Sequence, residues 1–315
     1  MLRYIAKRLL ISIPVLIGLT AMIFAVMHSI PGDPVQIWLG LSLRDPRAIQ
    51  VIRARLGLDQ PVYVQYFLYL TRLLQGNFGT DIRTGQPVLQ EVLPAFMLTL
   101  ELAATAWLIA ILLGIPFGII SARRQNSIID RSIMITSVGL SSLPNFWLGV
   151  ILILIFSVTL HLTPVAGYAS SPQYIILPAL ALGLGQLGVT ARFTRSSLLE
   201  VLRQDYIRSA KARGLSEFKI TVSHALKNAL VPIITLSGLQ LGYLLGGAFF
   251  VEVIFAWPGI GRLAYRAITE RNYPLLQASV FFVAVAFVVI NIVVDVLYAR
   301  IDPRIQVENK EEEGV

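Results

Sequence analysis

From Ser132 to Ala191 the chain runs for sixty residues without one Asp, Glu, Lys or Arg. Such a run is too long and too apolar for a water-soluble fold, but it suits a bilayer, where a helix of roughly 20 apolar residues satisfies its own backbone while crossing. A Pro-Gly-Ser-rich piece from Thr163 to Pro172 divides the run into two crossing units. The whole chain has the same bias: 315 residues, 56% hydrophobic, 14% charged, with a mean hydropathy of +0.72. It reads as an all-α polytopic membrane protein.

Four more spans follow from the same rule. The first is the uncharged run from Leu9 to Gly32, preceded by Arg3, Lys7 and Arg8. Its length exceeds the roughly 7 to 15 apolar residues of a signal peptide and no Ala-x-Ala follows, which predicts an uncleaved span. The others are Pro94 to Ala122, Asn228 to about Val251 and about Leu275 to Leu297. Six spans put both termini on one side, and 17 of the 26 Lys and Arg residues lie on that side. By the positive-inside rule both termini are cytoplasmic. The stretch 35–93 reads as an extracytoplasmic region of short helices, with Asp45-Pro46 and Pro61 as starts, Gly57 and Gly76 as ends, and Tyr66, Phe67, Leu70 and Leu74 as one packing face.

Of the basic balance of +8, one polar segment between two spans, from Glu200 to Pro232, holds six Lys or Arg against three Asp or Glu. Asp205 reads as an N-cap, a short helix follows through Tyr206, Ile207, Arg208, Ser209, Ala210 and Lys211, and Gly214 stands where a helix ends at positive φ. Ser216 caps the next turn. Tyr206, Ile207, Ala210 and Gly214 recur at helical spacing, giving a small, apolar face ringed by Arg208, Lys211 and Arg213, which suits a partner surface carrying acid or phosphate.

This segment resembles the cytoplasmic coupling loop of inner-membrane subunits of ATP-binding-cassette importers, in the branch that imports dipeptides, oligopeptides, nickel and glutathione. The family's loop begins Glu-Ala-Ala, with Gly six positions after the Glu. Here Ala210 and Gly214 match, while Arg208 replaces the Glu, in a form similar to the peptide branch. Three further stretches are similar to that branch: Ile30-Pro31-Gly32-Asp33-Pro34 after the first span, Trp257-Pro258-Gly259-Ile260-Gly261-Arg262 before the last, and Asp302-Pro303-Arg304 after it. The resemblance implies a first span at 1–34, an extracytoplasmic region at 35–93, an importer transmembrane domain at 94–304 with its coupling loop at 200–228, and a cytoplasmic tail at 305–315. It also implies a second homologous permease subunit, two ATP-binding subunits that hold ATP and Mg, and an extracytoplasmic solute-binding protein. Di- or oligopeptides are the expected cargo, with nickel, glutathione or an oligosaccharide as alternatives.

Other patterns weigh less. Gly183, Gly185 and Gly188 match G-x-G-x-x-G, but inside an apolar run they serve close helix packing rather than a dinucleotide. No G-x-x-x-x-G-K-[ST] occurs, so the chain is expected to have no ATPase site and no cofactor of its own. Gly238, Gly242 and Gly246 form a stripe for helix packing or a pore. Glu101, Glu252 and Asp295 are ionisable groups within spans; Glu101 lies deepest and reads as a cavity residue. His28, His161 and His224 lack metal-ligand spacing. Trp257 and Tyr265 fit an interfacial aromatic belt. A secondary transporter would show repeated broken helices with mid-membrane charges in both halves, and no such repeat is visible. A nucleic-acid reader at the Gly214 turn would be held against the bilayer by the flanking spans.

Overall fold

The computed structural model describes residues 2–29, 50, 53–54, 57–169 and 171–301. Ten helices of at least eight residues account for most of them: α1 Leu2–Ser29, α2 Val62–Leu74, α3 Val88–Arg123, α4 Ile128–Ser142, α5 Asn145–Leu152, α6 Gln173–Leu202, α7 Asp205–Ala212, α8 Leu226–Ile254, α9 Ile260–Thr269 and α10 Tyr273–Ile301. Among the described residues β-pairing is limited to one bridge, Thr80 with Pro87. Five helices are long and apolar enough to cross a membrane, and Ile128–Ser142 with Asn145–Thr159 passes the same test as a pair bent by 105°, a broken span or a re-entrant loop.

That bend corrects the expectation of a continuous third span. Leu143 and Pro144 are both extended (ψ 135° and 138°), because proline removes an amide donor and forces the preceding residue out of the helical region. The second span also begins earlier than expected: Pro94 lies within α3, which starts at Val88. Ile30 to Pro34, Asp45-Pro46 and Asp302 to Arg304 fall outside the described residues.

The helices sort into two compact units. One comprises Met1–Ile5, Leu100–Trp257 and Phe287–Val315. Its centre is α6, 61% buried over its most apolar stretch against 11 to 39% for the other crossing helices, which expose apolar faces as bilayer helices do. Glycine lets backbones meet there. A Cβ at Gly183 would stand 2.7 Å from the Ala106 carbonyl oxygen of α3, and one at Gly188 would collide with the Ser137 carbonyl of α4. The false dinucleotide fingerprint is thus two packing points on a buried helix. In return, Gly118 of α3 receives Thr194 of α6, whose Cβ would be 2.5 Å from an added one.

The other unit comprises Ala6–Thr99 and Pro258–Ala286. Here α2 lies on α1 through its tyrosines: Tyr66 Oη donates to the Ile17 carbonyl at 2.9 Å, and Tyr66 and Tyr69 each face the Phe24 ring. This revises the expected stripe, since Phe67 and Leu74 are exposed (66% and 87%) while Tyr66 and Tyr69 pack inward. His28 links the same elements, its ring nitrogens 2.8 Å from the Phe24 carbonyl and 3.1 Å from Gln65 Oε1. Arg266 of α9 binds Asp81 and Glu91, and Arg83 binds Glu270, fastening the turn around 81–86 to α9.

Candidate functional site

The polar segment between α6 and α8 folds from its own punctuation. Gln204 is extended (ψ 150°) and is the cap of α7, so Asp205 is the first helical residue, not the N-cap. There its carboxylate favours the positive helix end and pairs with Arg208 at 3.2 Å. Gly214 ends α7 at φ +78° with its amide donating to the Lys211 carbonyl at 2.9 Å. Ser216 caps the following turn through Lys219 N at 3.4 Å, and π-helical turns from Ile220 to Ala225 lead into α8.

The small, apolar face of α7 points into its own chain. Ile207 is fully buried and Ala210 nearly so, in one cluster with Ala122 of α3, Leu198 of α6 and Ala225, Ala229 and Ile233 at the start of α8. This corrects the expectation that the apolar face awaits a partner. What α7 leaves exposed is polar: the side chains of Asp205, Arg208 and Lys211 are 94%, 77% and 52% accessible, with Ser209, Arg213 and Gly214 beside them. Lys211 reaches Glu217 at 3.0 Å. Tyr206 is on the rim, its hydroxyl accepting from Asn228 Nδ2 at 2.7 Å, and the exposed Phe218 ring lies under the Arg123 guanidinium. The arrangement is a charged outer surface rigidly seated on three membrane-crossing helices.

The other expected positions are dispersed. A Cβ at Gly242 would meet the Phe287 ring of α10 at 3.1 Å and one at Gly238 would collide with Val294, whereas Gly246 faces open space and leaves that packing row. Glu101 is exposed on α3. Glu252 is fully buried and Asp295 half-buried. Trp257 is also buried, edge-on to Tyr168 at 5.0 Å, and is no interfacial anchor. After it, Pro258 precedes Gly259, which caps α9, and the Ile260 amide of that first turn donates to Thr99 Oγ1 at 2.8 Å, with Gly261 next in the helix. Among the described residues no group of three or more His, Cys, Asp or Glu could hold a metal ion.

Two polar pairs escaped the sequence reading. Asp130, 3% exposed at the start of α4, is held by Arg195 of α6, by Ser121 and by the Asn126 amide. Thr190 donates to Gln240 Oε1 at 3.0 Å between α6 and α8. The first had a visible signal: Ser127 caps α4 by accepting from the Asp130 amide, a Ser-x-x-Asp helix start. The second had none.

Five long apolar helices, a bent apolar pair and a charged short helix between α6 and α8 define a multi-pass membrane protein. The chain belongs to the family of binding-protein-dependent transport system inner membrane components, whose model matches residues 114–307 and whose N-terminal counterpart matches residues 1–103. It is 45% identical over 306 residues to the glutathione transport system permease protein GsiC of Salmonella typhimurium (strain LT2), covering 97% of this chain and 99% of that one. It is 43% identical to the dipeptide transport system permease protein DppB of Alkalihalophilus pseudofirmus, covering 97% and 100%. In fold it is similar to a chain of the methionine ABC transporter MetNI in an inward-facing conformation, with a TM-score of 0.58 at 18% identity over 68% of this chain and 97% of that chain. The protein is therefore an inner-membrane transport component, as the loop and its companion motifs implied.

Proposed function

We propose that this chain is a pore-forming subunit of an ATP-driven importer of short peptides, glutathione among them. In this reading it pairs with a second homologous permease, takes cargo from an extracytoplasmic solute-binding protein, and is driven by two cytoplasmic subunits that bind ATP and Mg. The observation that carries the reading is the seating of α7. Its charged face is free for an ATPase groove, while Ile207 and Ala210 are locked among α3, α6 and the start of α8. A push on the outer face is passed to three crossing helices, because a close-packed interior has little slack to absorb it. The cargo is inferred from the glutathione and dipeptide permeases that match nearly end to end.

Proteoliposomes holding the assembled complex test this directly. Uptake of a labelled dipeptide should require ATP and the binding protein and need no ion gradient; uptake driven by a gradient alone would make the chain a secondary transporter. Reporters active only outside the cytoplasm should work after Gly76 or Gly167 and fail after Gln125 or Leu215. Activity at Leu215 would reverse the orientation and remove α7 from the ATPases.

A further inference from the structure

The unit built from Ala6–Thr99 and Pro258–Ala286 contains a cavity of about 360 Å³ that the docking of α7 leaves unexplained. It is large enough for a small solute, since ligand sites start near 300 Å³. Phe24, Tyr69, Phe78 and Tyr273 give it an aromatic wall, and Arg72 and Gln277 also line it. Gln277 is 9% exposed, yet its side-chain amide makes no hydrogen bond among the described residues. Its amide atoms are not sealed in the interior but open onto the hollow, where a bound group can meet them. Half-buried Tyr69 adds a hydroxyl with no partner among the described residues, and burial, with Tyr66 beside it, raises its pKa well above the usual phenol value, so it stays a neutral donor. The Arg72 guanidinium forms no ion pair among the described residues. One exposed cation, one amide that both donates and accepts, one hydroxyl donor and an aromatic wall thus meet in one hollow, with no hydrogen bond or ion pair to those polar side chains among the described residues.

We propose that this cavity binds the C-terminal residue of a short peptide, with Arg72 on the carboxylate, Gln277 on the last peptide group and the aromatic wall around an apolar side chain. Carboxylate, amide and apolar side chain within one residue's length is the chemistry these groups complement, and an arginine fork suits a carboxylate. The inference rests on the peptide-cargo reading above and adds a site for cargo on the permease itself.

The chain contains no cysteine, so a single one can report on the cavity. Thr80, an exposed lining residue, is replaced by Cys in the full complex in nanodiscs, without binding protein, and its maleimide labelling is timed. Gly-Phe should slow labelling, Gly-Phe amide and inorganic phosphate should not, and Arg72→Gln or Gln277→Leu should weaken the protection at least about tenfold. Arg72→Lys should restore part of it, which a mere folding defect would not allow. A cysteine unreactive without peptide, no slowing by Gly-Phe, equal slowing by its amide, or slowing by phosphate alone would each overturn the site. ATP-driven Gly-Phe uptake by the same complex with binding protein separates the two readings: intact uptake with no protection sinks the cavity site alone, and absent uptake sinks the peptide-cargo reading.

Discussion

Arg195 grips Asp130 with two parallel hydrogen bonds, Nε to Oδ1 at 2.7 Å and Nη2 to Oδ2 at 2.8 Å, tying α6 to the first turn of α4. Asp130 also accepts from Ser121 and from the Asn126 amide, so the carboxylate is fully engaged where it is 3% exposed. Removing one partner of such a buried pair leaves the other charge stranded, at a cost of about 3 kcal/mol. Asp130→Ala should therefore lower the thermal midpoint of the purified chain clearly, and Arg195→Lys should lower it less, since lysine cannot reproduce the fork. The double variant Asp130→Ala/Arg195→Ala should lose less than the two singles combined. Additive losses would show that the pair is not a unit.

The inward turn of Ala210 separates two substitutions that look alike in sequence. Ala210→Glu would place a carboxylate among Leu198, Ile207 and Ala229, so it should destabilise the loop itself as well as uncouple transport. Gly214→Val meets no neighbour within 4 Å, and its cost is the positive φ alone, about 1 to 2 kcal/mol. Arg208→Glu, on the exposed face, should leave thermal stability unchanged and weaken association with the ATPase subunits. Wild-type uptake per ATP hydrolysed in Arg208→Glu and Gly214→Val would remove α7 from the coupling path.

Gly242 and Gly246 are one turn apart and should respond oppositely. A side chain at Gly242 drives into the Phe287 ring, so Gly242→Leu should disturb the packing of α8 on α10 and lower the yield of folded chain. A Cβ at Gly246 meets nothing within 4 Å among the described residues, so Gly246→Leu should fold normally. If Gly246→Leu nevertheless blocks assembly with the second permease, that turn of α8 belongs to the subunit interface. Equal folding yields for both variants would contradict the packing of Gly242 on α10.

Acid should loosen the turn at Asp81 before it affects the spans. Burial opposes ionisation of Asp81, but the amides of Thr84 and Arg83, the neighbouring Glu91 and the Arg266 guanidinium outweigh it and hold its pKa below the usual carboxylate value. A folded pKa below the unfolded value of about 3.9 makes the stabilisation complete at neutral pH. It is lost as the pH falls below that value through the folded pKa. Thermal midpoints from pH 7 to pH 3 should drop less steeply in Asp81→Asn than in the wild type below about pH 4. Parallel curves would show that Asp81 does not carry the acid sensitivity.

Much of this architecture was legible before any coordinates. The crossings, the basic segment, the Gly214 terminus and the Ser216 cap are local properties: apolar length against bilayer thickness, and backbone donors that need an acceptor within three residues. Even so, Pro144 was not recognised as a break inside a run with no charge to mark one, and Asp205 was placed one residue out of register. The pairing of Thr190 with Gln240 left no trace in the sequence, since two ordinary polar residues 50 positions apart announce nothing until α6 and α8 are side by side.

The sequence by itself determined that this chain lives in a membrane, roughly where it crosses and which family it joins, because hydrophobic length and motif order survive without tertiary context. Only the tertiary structure decided which way each amphipathic face turns. Helical spacing gave α7 an apolar stripe, but whether Ile207 and Ala210 greet a partner or their own chain depended on Leu198 and Ala229 arriving from the flanking helices. The same holds for the glycines of α8, where Phe287 and Val294 of α10 meet Gly242 and Gly238 and leave Gly246 open. Periodicity records that a face is apolar; what covers it is set by residues distant in the chain.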